Sequence, residues 1–449
     1  MTKEKNVSNA ILRKITLIFT VAVLMVTCVN LKPLHVNAAS KPVSKVYCCL
    51  YKSGKLVISQ KKIKPQKGKK VLENKKLAKP SQLKNRNKIK TVDFKGKVRP
   101  KSCQQWFEDC KNITKISNIK NFDTSQCTNT ANMFWGCRKL KSLDVSRFNT
   151  AKVKDMSAMF YRCKSLKKID VSKFKTSKVK FMGAMFGDCI SLEKLNLKNF
   201  KTGAVIETAY MFENCYKLKS LDVSKFNTKN VEYMDAMFHN CKSLTNLKIK
   251  GFKTSKAISM YAMFEGCKSL KELDLSSFNT AKTTTMVRMF RNCVSLQKLN
   301  ISKFNTSKVR GMGAMFEGCK ALKSLNLSSF NTSKVESMES MFSECRSLEN
   351  LNLNGFNTTK VTNMGEMFLW CKSLKNLDLS SFNTSKVNNM LEMFALCKGL
   401  EKLDISNFTI KNNCNLQWMF DEFSANGVVR INQKAKKAIE NNGVLTVHM

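Results

Sequence analysis

Between residues 153 and 174 the apolar positions follow two rhythms in succession. Val153, Met156, Met159, Phe160, Cys163 and Leu166 are separated by steps of 3, 3, 1, 3 and 3. That spacing predicts one buried face of a short α or 3-10 helical segment. Leu166, Ile169, Val171 and Phe174 then follow L-x-x-L-x-L-x-x-F. The alternation at its centre predicts a short, half-buried strand. Both rhythms return every 26 residues, with eleven cysteines in step from Cys137 to Cys397 and no insertion between them. A phenylalanine row from Phe122 to Phe408 and a Met-Phe pair from Met133-Phe134 to Met419-Phe420 recur alongside. Such a period marks a solenoid, in which each unit buries its apolar face only against its neighbours. The predicted fold class is α/β, a leucine-rich-repeat-like solenoid of short parallel strands and short helical turns. About 12–13 repeats would fill residues 101–424.

The register also shows where the array starts and stops. Trp106-Phe107 and Cys110 make a degenerate first unit, and Phe423 stands where a further cysteine would fall. Beyond it, residues 425–449 read as a C-terminal cap with strand-like ends and a helix over residues 432–442. Atypical terminal units are what a solenoid needs to cover the open ends of its core. Ahead of the array, residues 39–100 form a lysine-rich leader. Residues 46–51 and 56–59 flank Lys52-Ser53-Gly54-Lys55 as a β-hairpin, and residues 89–94 read as another strand. Residues 60–88, almost without large apolar side chains, are expected to be a mobile connection. Residues 1–38 have the order of a secretory signal, a basic start, an apolar run over residues 15–29 and small residues before Ala39. Cleavage is expected near Ala38, because Met25-Val26-Thr27 is a poor lead-in for lipid attachment at Cys28. Retention of the segment, or a lipid on Cys28, would instead tie the chain to a membrane.

Charge changes the picture next. The formal net charge is +47, from 79 Lys+Arg against 32 Asp+Glu. A net +18 of it lies in residues 39–100 alone. The chain has only three histidines, His35, His239 and His448, so a histidine-rich metal site or catalytic centre is not expected. No G-x-S-x-G, H-E-x-x-H or G-x-x-x-x-G-K motif occurs. His239 stands two residues before Cys241, yet Cys241 is a core position of the repeat. The expectation is a protein that is not an enzyme and needs no cofactor or metal.

The repeated cysteines suit reduced core thiols, since a free cysteine packs as a small hydrophobe. Cys48, Cys49 and the pair Cys103/Cys110 lie outside that row and are the disulfide candidates. Two exposed rows are candidate binding surfaces. At the strand centre stand Asp144, Asp170, Asp222, Asp274, Asn300, Asn326, Asn352, Asp378 and Asp404, with Asn196 and Lys248 between them. They line one sheet face and offer either ligand contacts or a ladder of side-chain hydrogen bonds. After the N-T-S turn comes a lysine row, Lys152, Lys178, Lys256, Lys282, Lys308, Lys334, Lys360 and Lys386. It is either a solvated edge or a match for a polyanion.

Units such as Met315-Phe316 through Cys319, Leu322, Leu325, Leu327 and Phe330-Asn331-Thr332 to Val335 resemble the BspA-like leucine-rich-repeat surface proteins, including the repeats of mycoplasma-type lipoproteins. The resemblance covers about residues 89–424. It implies an exported bacterial surface protein, secreted or held at the cell surface, that acts in adhesion to host matrix protein, glycan or other cells. It implies no catalytic residues. The alternatives are a cationic binder of anionic cell-wall or host polymers and a purely structural surface spacer. An extracellular protein or glycan, or an anionic polymer, is the expected partner; a small-molecule substrate or a nucleic acid is not.

Overall fold

The computed structural model describes residues 45–424 and 427–442; the expected signal segment, Cys28 and the last predicted strand lie outside them. From about residue 124 the chain winds as a β-solenoid, one turn per 26-residue unit. The expected strands form as short parallel pairs, among them Lys168–Ile169 with Lys194–Leu195 and Glu272–Asp274 with Lys298–Asn300. A second line of parallel bridges runs unbroken through Asn129, Asp155, Phe181 and Glu207 to Asn415.

That second line corrects the expected helical segments, and with them the α/β label. Ala158 and Arg162 adopt left-handed backbone (φ 52° and 60°), and their counterparts do so turn after turn. A left-handed residue every fourth position cannot sit in a right-handed helix. The amide hydrogens are divided accordingly. Those of Met156, Ala158, Phe160 and Arg162 donate to carbonyls of Phe181, Gly183, Met185 and Gly187 in the next turn. Those of Met159, Tyr161 and Cys163 donate to the residue three back. Consecutive tight turns and a helix both place every third or fourth side chain inward, so the apolar spacing was compatible with either. The only α-helix among the described residues is Gln433–Asn441.

Three rows thread the interior. Thirteen phenylalanines from Phe107 to Phe420 stack with centroids 5.4–6.0 Å apart and planes within 18° of parallel. The cysteines from Cys137 to Cys397 are free and buried. Each thiol donates to the carbonyl of a core phenylalanine, as Cys163 does to Phe134 (3.2 Å) and Cys267 to Phe238 (3.1 Å). Burial pushes thiols such as Cys163 and Cys241 up to about 12, so they stay protonated and unreactive. The third row was not anticipated. Threonines from Thr124 to Thr384 are buried, and each hydroxyl bridges to the next turn. Thr280 Oγ1 accepts from the Asn305 amide (2.8 Å) and donates to the Asn305 carbonyl (2.8 Å).

The leader closes the first turn. β1 (Val46–Tyr51) and β2 (Lys55–Ser59) form the expected hairpin, pairing Cys48 with Ile58. Residues 60–88 are not a mobile connection, for they contain β3 (Val71–Leu77), antiparallel to β1. The Glu73 carboxylate pins the following loop by accepting from the Asn85 amide (2.7 Å) and the Lys84 amide. β4 (Thr91–Phe94) and β5 (Lys115–Ser117) complete a sheet in the order β3-β1-β2-β4-β5. Its inner side chains share one core with the array. The disulfide joins Cys103 to Cys127, not to Cys110, which is free, as are Cys48 and Cys49. Cys48 and Cys49 are strand neighbours that face different clusters. At the other end, Val428–Ile431 adds in parallel to Lys402–Ile405. The Asn432 side chain caps the final helix by accepting from the Ala435 amide, and Ile439 is buried.

Candidate binding faces

Each unit exposes two sides of different construction. On the strand side, the centre of each L-x-L segment stands between buried or half-buried apolar residues, and Asp144, Asp170, Asp222, Asp274, Asn300, Asn326, Asn352 and Asp378 are exposed. Asp404 is half-buried, with the Arg430 guanidinium 3.4 Å away. Side-chain links along the row are few among the described residues, a hydrogen bond from Asn300 to Asp274 and an ion pair of Lys248 with Asp222 (4.0 Å). Each Oδ1 instead accepts from the amide two residues on, as in Ser146 to Asp144 (2.9 Å), Ser276 to Asp274 (3.0 Å) and Asn354 to Asn352 (3.0 Å). These are Asx turns, which end the strand and start the bend toward the phenylalanine. Hydrogen bonds from the hydroxyl and then the amide of the serine two residues on hold the Asp144, Asp222 and Asp378 carboxyls below the usual carboxylate range, so they are ionised at neutral pH. Asp144, Asp170 and Asn196, with Lys168 and Lys194, line a shallow groove of about 830 Å³.

The lysine row lies one bend further on. Lys152, Lys178, Lys256, Lys282, Lys308, Lys334, Lys360 and Lys386 are all exposed. Lys152 and Lys256 donate to Gln126 (2.9 Å) and Asn230 (3.0 Å) of the preceding turn. None of the eight stands within ion-pair distance of a carboxylate among the described residues. The asparagine of N-T-S makes its own Asx turn, as in Ser307 to Asn305 (3.1 Å), so the lysines project from a fixed bend.

The turn side carries the residues that change from unit to unit, which have no period to mark them in the sequence. Trp135 and Tyr161 stack (6.4 Å) beneath the Arg162 guanidinium, which pairs with Asp188 (3.3 Å). Asn214 donates to Asp188 (2.7 Å) and Asn240 to Asn214 (3.0 Å). Arg291 bridges Glu265 (3.2 Å) and Glu317 (2.7 Å). Glu366 is pushed up to about 7 by burial and by Glu392, Glu339 and Glu317 beside it. His239 faces Glu213 (3.2 Å), while the Cys241 thiol points to the Phe212 carbonyl (3.2 Å). The two therefore form no nucleophile–base pair. Among the described residues no group of three or more His, Cys, Asp or Glu is placed to hold a metal ion.

The coil of 26-residue turns with an L-x-L strand, stacked phenylalanines and buried thiols defines a repeat protein of the leucine-rich type, built as a β-solenoid. Overlapping stretches, residues 101–221, 191–273, 210–330, 270–368 and 347–434, match the family described as "Mycoplasma protein of unknown function, DUF285". The chain belongs to that family, in agreement with the resemblance carried by its units. Among solved structures, it is similar to a leucine rich cell surface protein from Faecalibacterium prausnitzii, at 13% identity over 90% of this chain and 98% of that one (TM-score 0.37). It is also similar to a leucine-rich repeat protein from Eubacterium ventriosum, at 15% identity over 64% of this chain and 90% of that one (TM-score 0.28). No curated protein matches the chain.

Proposed function

We propose that the chain is a non-catalytic binding module exported to the surface of a bacterium, where it serves adhesion to host matrix protein, glycan or other cells. The observation that carries this reading is the surface itself. Polar side chains project at a fixed repeat over successive turns, from a backbone whose own hydrogen bonds are satisfied within the coil. Such an extended surface suits a macromolecule, and the strand-side groove is open and shallow rather than shaped around a small substrate. Residues 1–38 would direct export and be removed near Ala38. Residues 39–100 and 425–449 would serve as closures for the repeat array over 101–424.

The test is capture of the full chain on arrays of glycans and matrix proteins, with the mature N-terminus weighed from fractionated cells. Saturable capture, with Ala39 as first residue, is the expected outcome. No capture by any ligand would leave a structural spacer as the better account, and a lipid on Cys28 would overturn the cleavage site. The unpaired lysine row favours one second reading, attachment to an anionic wall or host polymer. Surface charge contacts are screened by salt, so that reading predicts release at about 0.5 M salt, whereas adhesion through the groove predicts retention.

A further inference from the structure

The turn side departs from the rest of the chain in composition. Five positions per unit on this side, those of Asp155, Ser157, Ala158, Tyr161 and Arg162, recur from Asn129 to Glu422. Those 60 positions hold 13 carboxylates, three arginines and no lysine, in a protein of net charge +47. They also hold three of the four tryptophans and four of the seven tyrosines. Carboxylates one turn apart, about 4.8 Å along the coil, repel by about 0.9 kcal/mol even in bulk water. That repulsion contributes nothing to folding.

Beside the middle of these positions, in the adjoining row of Lys180, Ile206, Glu232 and Ile258, lies an apolar patch. Ile206, Tyr233 and Ile258 are exposed at 36%, 38% and 36%. They lie on consecutive turns, because the Glu232 amide donates to the Ile206 carbonyl and the Ile258 amide to the Glu232 carbonyl. Tyr233 bridges to Glu207 on one side and Ser259 on the other. The half-buried Glu207 carboxylate accepts no hydrogen bond and meets no cation among the described residues, and burial beside Asp155 and Asp235 raises its pKa. Elsewhere on the coil aromatics seat the chain's own cations, with Lys242 Nζ 4.4 Å from the Tyr216 ring and Arg346 4.4 Å from Trp370. Apolar anchors of this kind, rimmed by charge, are where binding energy concentrates in protein interfaces.

Resting on the reading of the chain as a binding module, we propose that the turn side, centred on Ile206, Tyr233 and Ile258, docks a polypeptide segment that carries lysine or arginine between apolar residues. The Glu207 and Asp235 carboxylates beside the patch select the cations, and the exposed isoleucines and tyrosine take the apolar side chains. A polyamine would use the charge and leave the patch uncovered.

The experiment is fluorescence anisotropy of labelled 12-residue peptides with the full chain at 0.15 M salt. The expected result is that an alternating lysine–leucine peptide binds despite the net positive charge of the protein, while glutamate–leucine and all-lysine peptides bind at least about tenfold more weakly. Glu207→Gln with Asp235→Asn should weaken the lysine–leucine peptide about tenfold. Tyr233→Ser, at an exposed site that folding does not need, should weaken it about fivefold. Glu349→Gln with Glu401→Gln, exposed carboxylates outside the groove, should leave it within about twofold. Equal loss from both carboxylate pairs, or no binding of the lysine–leucine peptide, overturns the proposal. If an array ligand is still captured in that case, only the face assignment falls; if nothing is captured, the binding-module reading falls with it.

Discussion

The strand side and the turn side of this coil are built from the same units and have diverged differently. On the strand side Asp or Asn recurs at all turns but that of Lys248, because its carboxylate or amide oxygen is tied to the backbone, as Asp274 is to the Ser276 amide. On the turn side the equivalent of Arg162 is Asp188, Asn214, Gly266, Trp370 or Glu422. Repetition there is confined to the inward side chains and to the left-handed backbone. Gly266 and Gly318 take that backbone at φ 71°, where an added side chain would also meet an asparagine of the turn before. On the strand side the recurring oxygen therefore marks a bond to the backbone, whereas on the turn side only the backbone conformation is fixed and the side chain is left to change.

That contrast can be broken at its strongest point by removing a bond the coil needs. Thr280→Val keeps the shape of the side chain but strands the Asn305 amide and carbonyl in a buried site. Leaving such groups unpaired costs about 1–3 kcal/mol each, so a loss of about 2–4 kcal/mol is expected from urea unfolding followed by hydrogen exchange around the lesion. A loss below about 1 kcal/mol would mean that water or a backbone shift replaces the hydroxyl.

The next test uses a changing position. Because the Glu366 carboxyl is raised from 4.5 to about 7 in the fold, the folded state holds its proton more tightly than the unfolded chain does. Its ionisation cost is absent below about pH 4.5, grows between about pH 4.5 and 7, and is level above that. Glu366→Gln should therefore stabilise the protein by about 1–3 kcal/mol at pH 8 and by almost nothing at pH 4.5. Thermal unfolding across that range measures it, and a pH-independent effect would contradict the crowding with Glu392 and Glu339. The smallest effect belongs to the exposed recurring row. Asp274→Ala loses one Asx turn, worth about 0.5–1.5 kcal/mol, and the loss should fade as the carboxyl protonates below pH 4.

Much of this architecture was legible because the units are copied without slippage. The fixed step of 26 exposed the phenylalanine and cysteine rows and the outward lysines, and it predicted the L-x-L strands. Thr280 and its equivalents carried the same step, yet an N-T-S-K string looks like an ordinary solvated turn, and nothing in it shows that the hydroxyl faces inward. Ala158 gave no sign of a left-handed backbone, for which glycine is the usual marker. Cys127 escaped notice as the partner of Cys103 because it stands ten residues ahead of Cys137, outside the row. The acidic turn side was hidden for the opposite reason: a search for what repeats cannot see positions defined by change.

The threonine bridges have a consequence for how such a chain can be inherited. Each hydroxyl satisfies one amide and one carbonyl of the following copy and asks nothing of any other. Removing a whole unit, or inserting one, rejoins identical partners. Recombination within the gene can therefore lengthen or shorten the coil in complete steps, leaving both closures intact and changing only how many outward positions are available to vary.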